Sequence, residues 1–217
     1  MRAAVDAVEA ESGAVRALVN NAGYSLSGAL ETLPLDEVRR QFETNVFGLL
    51  RLTQLVLPGM RRAGEGTIVN LSSMGGRLVF PGGGAYHATK YAVEALSDAL
   101  RMEVRGFGID VVCVEPGLIR TEFGETAAGG VGDDTGPYAE FNRSVAKQTR
   151  DVYAGPLSRL GAGPEAVADA IAHALAADRP RTRVPVTASA RILMGLRRVL
   201  PDRVWDRAVM GNFTTPR

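Results

Sequence analysis

The sequence predicts an α/β fold, a doubly wound parallel sheet with helices on both faces. Three observations carry that prediction. Short β-branched runs alternate with helical patterns along the chain. The polar and glycine residues gather just after those runs, where open α/β sheets bind ligands. No internal repeat and no linker divides the sequence, so residues 1–217 read as a single domain.

The elements follow in order. Residues 3–11 have a helical pattern stopped by Gly13, and Val15-Arg-Ala-Leu-Val19 is a short buried strand running into Asn20-Asn21-Ala22-Gly23. A helix starts at Leu33-Pro34-Leu35. Its apolar positions Val38, Phe42, Val46, Leu49 and Leu52 recur at helical spacing to about Leu57, just before Pro58. Thr67-Ile-Val-Asn-Leu-Ser-Ser73 is a strand, and a glycine-rich turn with Pro81-Gly-Gly-Gly84 leads to a helix over residues 86–104. Ile109-Asp-Val-Val-Cys-Val-Glu115 is the next strand, stopped by Pro116-Gly117. Residues 124–137 lack periodicity and read as a loop. A helix over 165–177 opens at Pro164, and Arg183-Val-Pro-Val186 is a last short strand.

Composition excludes several functions. The 217 residues hold 25 Lys+Arg against 24 Asp+Glu, a net charge of +1 that gives no cationic field for nucleic acid. Apolar runs fall short of the ~18 residues of a membrane span. The acidic N-terminus does not resemble a signal peptide, and the lone Cys113 has no partner for an internal disulfide, so a soluble, cytoplasmic protein is expected. No group of residues has metal-ligand spacing. Only two of the 25 basic residues are lysines, Lys90 and Lys147, which draws attention to why lysine persists there.

Tyr86 and Lys90 stand four apart on one helix face, beside the strand end that carries Ser72-Ser73. A phenol is a poor base near neutrality, and a neighbouring ammonium is expected to lower its pKa, letting Tyr86 exchange a proton with an alcohol or ketone oxygen that Ser73 also bonds. Ser72 reads as a strand-end hydrogen bonder, His87 as an exposed neighbour one step round the helix, and His173 as structural. Pro81-Gly82-Gly83-Gly84 has no strand directly before it and is a weak phosphate cradle.

Asn20-Asn21-Ala22-Gly23, Asn45 within Glu43-Thr-Asn-Val-Phe-Gly48, Asn70-Leu-Ser-Ser73, Tyr86-His-Ala-Thr-Lys90 and Pro116-Gly117 together resemble the ordered motifs of the short-chain dehydrogenase/reductase family. The resemblance is close over residues 1–125 and looser beyond. It implies a Rossmann-like three-layer fold and hydride transfer between NAD or NADP and a small-molecule alcohol or ketone. It also implies roles. Tyr86 would be the acid/base, Lys90 would tune it and hold the nicotinamide ribose, Ser73 would hold the substrate oxygen, and Asn45 would extend a proton relay through water. Asn21, Ala22 and Gly23 would line the ribose, while Pro116, Gly117, Ile119 and Thr121 would flank the nicotinamide. A homo-oligomer is expected. A guanidinium would not replace the compact, tunable ammonium of Lys90.

The family's first strand and glycine-rich phosphate turn have no counterpart here: 19 residues precede Asn20, and the first glycine is Gly13. The expectation is a chain truncated at its N-terminus, without the first βαβαβ wing, that binds the dinucleotide weakly and leaves the strand at 15–19 as an apolar sheet edge. A non-catalytic fragment that only dimerises or binds a partner is the alternative.

Residues 188–209 interleave Ile192, Leu193, Leu196, Val199, Val204 and Trp205 with Arg191, Arg197, Arg198, Arg203 and Arg207. Such a stretch suits a substrate lid, a subunit contact or a membrane-surface helix. Together with Val114-Glu-Pro-Gly-Leu-Ile-Arg-Thr121, it is similar to 17β-hydroxysteroid and retinol dehydrogenase-like members, favouring an apolar substrate.

Overall fold

A computed structural model describes residues 1–121 and 135–215. Four parallel strands, β1 (Ala17–Asn20), β2 (Gly66–Leu71), β3 (Ile109–Glu115) and β4 (Arg183–Pro185), lie side by side in sequence order. The helices are α1 (Arg2–Ser12), α2 (Leu35–Phe42), α3 (Leu49–Ala63), α4 (Gly84–Val104), α5 (Ala139–Ala154), α6 (Glu165–Ala176), α7 (Ala188–Val199) and α8 (Asp202–Met210). The α/β class and parallel sheet are those the sequence predicts.

Side chains alternate across the sheet as strand geometry requires. Ile68 and Val111 point to one face, where they pack with Val5 of α1, Val56 and Met60 of α3 and Val104 of α4. Val69, Val112 and Val114 point to the other, against Ala174, Ala170 and Ile171 of α6. β1 has one neighbour, and its Val19 is 38% exposed.

Four elements differ from the sequence reading. The helix expected to stop near Leu57 runs on to Ala63, with Pro58 inside it, because Gly59 and Met60 are buried against the core; left-handed Gly64 ends it. Between α2 and α3, residues Glu43–Gly48 form a π-helical segment rather than continuous α-helix. Helix α5 occupies 139–154, where none was expected, and residues 188–209 form two helices parted at Leu200-Pro201. The loop expected at 124–137 lies largely outside the described residues; Gly136–Tyr138 is a 3-10 turn.

A polar row crosses the sheet. Asn20, Asn70, Cys113 and Arg183 are aligned by strand register. The Asn20 amide donates to Asn70 Oδ1 at 2.9 Å, and Asn70 donates to Ser97 Oγ of α4 at 2.8 Å. Arg183 then meets Glu94 at 3.1 Å and Asp98 at 2.5 Å on α4, and Glu115 at 3.5 Å. Burial, reinforced by Glu94, pushes the Glu115 carboxyl up to about 7. Its folded form therefore binds a proton that the unfolded form releases, so this group stabilises most below the ordinary glutamate range and loses that effect as pH rises to about 7. Chemical denaturation between pH 5 and 8 should show this fall in stability, and Glu115→Gln should flatten it; an unchanged slope in the variant would remove Glu115 as its source.

Candidate active site

The carboxyl ends of β1, β2 and β3 open onto a cleft of about 1130 Å³. Ser73, just past β2, caps the turn Met74–Gly76: its hydroxyl accepts from Gly75 N–H at 3.0 Å and donates to the Pro116 carbonyl at 3.5 Å. The Tyr86 phenol, on the first turn of α4, hydrogen-bonds Ser73. Lys90 lies one turn further along α4. Its ammonium donates to the Leu71 carbonyl at 2.7 Å and stands 5.8 Å from the centre of the Tyr86 ring.

The electrostatics correct one expectation. Burial dominates at Tyr86 and raises its pKa above the usual phenol value, the Ser73 hydrogen bond offsetting part and Tyr153 adding to the rise. Lys90 does not lower it; the ammonium is committed to Leu71 and loses water itself. Burial lowers Lys90 to about 8, opposed by Cys113 and Glu94. The site thus holds a protonated phenol beside an ammonium able to lose its proton in the physiological range.

Asn45 sits in the π-helical segment, 2% exposed. Its amide donates to the Tyr24 carbonyl at 2.9 Å and to Thr89 Oγ1 at 3.0 Å, and its oxygen accepts from Tyr24 N–H at 3.0 Å. It ties the segment after β1 to α4 from behind the cleft wall. Asn21 and Gly23 line the cleft, whereas Ala22 is exposed outside the lining. Pro116, Gly117, Ile119 and Thr121 border it beyond β3. Gly117 is held there by crowding, since a Cβ would lie 2.5 Å from Ser189 Oγ.

His87 is not exposed. Its Nδ1 pairs with the Gly75 carbonyl at 3.0 Å and its Nε2 accepts from Phe80 N–H at 3.2 Å, so it stitches the glycine-rich turn to α4. His173 is exposed on α6, beside the Asp169 carbonyl. The Ser72 backbone N–H bonds Val114 as a strand end should, but its hydroxyl has no partner among the described residues. Sequence reasoning missed Tyr24 and Thr89, which hold Asn45, and the whole of α5, which gives the cleft Val145, Val152 and Tyr153. The signal for α5 was there in Phe141, Val145 and Val152, four and seven apart.

A family model described as short chain dehydrogenase matches residues 1–129. The chain belongs to the short-chain dehydrogenase family. It is 40% identical over 210 residues to an uncharacterized oxidoreductase, YbbO, of Escherichia coli K12, covering 97% of this chain and 72% of that protein. It is 34% identical over 210 residues to a 3-ketodihydrosphingosine reductase of Bacteroides thetaiotaomicron, covering 96% and 77%. The crystal structure of a short-chain dehydrogenase from Streptomyces avermitilis superposes with a TM-score of 0.75 at 37% identity, covering 96% of this chain and 72% of that one. The protein is therefore an oxidoreductase with a Rossmann-like fold.

The cleft of this short-chain dehydrogenase suits a nicotinamide nucleotide by one local test. A Cβ on Gly23 would lie 3.1 Å from Asn45 Oδ1 and 3.6 Å from Lys90 Nζ, so a side chain here would crowd Asn45 and fill the space in front of the Lys90 ammonium. Among the described residues, Lys90 donates one of its three N–H groups to Leu71, so a hydroxyl-bearing group beside Gly23 would find the other two.

Proposed function

We propose that the protein transfers hydride between NAD or NADP and the carbon of an apolar secondary alcohol or ketone. The Ser73–Tyr86 pair, facing an apolar-walled cleft with Lys90 one helical turn behind, carries this reading. When bound, the nicotinamide supplies or accepts the hydride. Ser73 and Tyr86 both reach a single substrate oxygen. Tyr86, kept protonated by burial, gives its proton to a ketone oxygen as that oxygen gains charge, and takes it back in the alcohol direction. Lys90 binds the ribose hydroxyls and restores the phenol's proton.

Asn21 and Gly23, with Ala22 between them outside the lining, border that ribose, and Pro116, Gly117, Ile119 and Thr121 border the nicotinamide ring. Asn45 acts through Tyr24 and Thr89, fixing the distance between β1's end and α4. The walls favour an apolar substrate over a sugar: Phe80, Val152, Leu193 and Phe213 face the cleft. A relative named 3-ketodihydrosphingosine reductase supports a ketone, and membership of the 17β-hydroxysteroid or retinol dehydrogenase-like branch would suit the same walls. The helix pair α7–α8 serves as a lid, pinned by the Trp205 indole N–H on the Val79 carbonyl at 3.3 Å.

For the polypeptide of residues 1–217 taken by itself, a weak grip on the dinucleotide is the reading to test. Titrating this polypeptide with NADH or NADPH, followed by cofactor fluorescence, should show no saturation in the micromolar range. At millimolar cofactor it should reduce 2-decanone and leave xylose untouched. Micromolar saturation would overturn the weak-grip reading, and reduction of xylose with 2-decanone unreacted would overturn the apolar one.

A further inference from the structure

The helix pair α7–α8 buries one side and leaves an apolar stripe in water. Ser189 and Ala190 are buried, and Leu193 and Met194 pack on Met74 and Leu118. Ile192, Leu196 and Val199 fall on another face, at spacings of four and three, and are 49%, 44% and 73% exposed. Val204 of α8 and Val79, whose carbonyl holds Trp205, are each 45% exposed. An exposed apolar stripe on α7, on a helix that also lines an apolar cleft, is an interaction surface rather than ordinary scatter.

Charge selects the partner. Arg191 and Arg198 lie along one flank of the stripe, about 100° round the helix, and exposed Arg203 and Arg207 continue on α8. None of these four is ion-paired among the described residues. Arg197 and Asp202 neutralise each other at 2.5 Å, leaving Asp206 as the one other acid of α8. A chain of net charge +1 thus concentrates a positive excess beside its exposed apolar stripe. Apolar residues flanked by arginine on an otherwise polar helix pair is the pattern that lies flat in the headgroup region of an anionic bilayer.

We propose that α7 and α8 dock this protein on an anionic lipid surface. Ile192, Ala208 and Val209 also line the cleft, so the docked face is its rim. An apolar substrate dissolved in the bilayer would pass into the cleft without crossing water. The inference concerns the surface alone and stands whether or not the oxidoreductase substrate is a ketone.

Cosedimentation of the purified chain with vesicles tests it. Vesicles of phosphatidylglycerol and phosphatidylcholine in equal parts should pellet the protein, and phosphatidylcholine alone should pellet about tenfold less. High salt should release it. Leu196→Ser with Val199→Ser should cut binding about tenfold, as should Arg198→Gln with Arg203→Gln, with unchanged melting temperatures confirming that the variants fold. Equal pelleting on both vesicle types, or none, overturns the proposal. So does a self-association in solution that the Leu196→Ser, Val199→Ser pair abolishes while vesicle binding is absent, since the stripe would then belong to a second copy of the chain.

Discussion

Tyr86→Phe is expected to lower turnover of a ketone by roughly 10²–10⁴-fold while leaving the fold and the cleft unchanged. The variant keeps the ring, its packing against α4 and the 60° tilt against His87. It loses the one proton that burial keeps on the phenol and the hydrogen bond with Ser73. The loss should fall on kcat more than on KM, because the proton matters when charge builds on the substrate oxygen rather than when substrate binds. A melting curve matching the parent, with kcat down by at least a hundredfold, is the expected pair of results. Retained kcat would move the acid elsewhere, and Tyr153, in the same cleft, is the residue to examine next.

The second large effect concerns stability. Arg183→Met should cost about 3 kcal/mol, lowering the thermal midpoint by about 10 °C. The guanidinium reaches two nearly dry carboxylates, with Glu94 and Glu115 side chains only 6% and 3% exposed, and half-exposed Arg77 approaches Glu94 no nearer than 3.9 Å. One oxygen of each glutamate has no hydrogen-bond partner, so removing Arg183 leaves the more distant Arg77 as the one cation near this buried charge among the described residues. The loss should be smaller at pH 5 than at pH 8, because Glu115, already pushed up to about 7, then carries a proton. Adding Glu115→Gln to the variant should restore part of the stability. Additive losses in the double variant would show that the two residues do not share an interaction.

The catalytic-looking part of the site was legible in the sequence because its geometry is local. Tyr86 and Lys90 share a face by helical spacing, and Ser73 ends a strand, so their meeting needs only that α4 follow β2 across the cleft. What escaped notice depends on partners distant in the chain. Nothing near His87 announces that Gly75 and Phe80 fold over it, so the one-step-round-the-helix argument placed it in water. The row from Asn20 to Arg183 reads as isolated polar residues until strand register aligns them. Helix α5 was hidden because Asn142, Arg143, Lys147, Gln148, Arg150 and Asp151 dilute its three apolar contacts. The expectation for the Tyr86 pKa failed for a different reason: Lys90 stands where the helical spacing puts it, but burial of the phenol sets the direction of the shift.

The π-helical segment Glu43–Gly48 has a consequence for how the long helical stretch is built. Each such turn takes up one residue more than an α-turn, so α2 and α3 run out of phase by about 100°. α2's face, which presents Gln41 to the Tyr24 carbonyl, and α3's, which presents Val56 and Met60 to the sheet, can both be inward although no single straight helix would aim them so. Deleting any one residue of the segment would hand the chain a smoother helix and rotate Asn45 out of its place. In this protein the irregular turn works as a gear change between a helix half that serves the site and a half that serves the core.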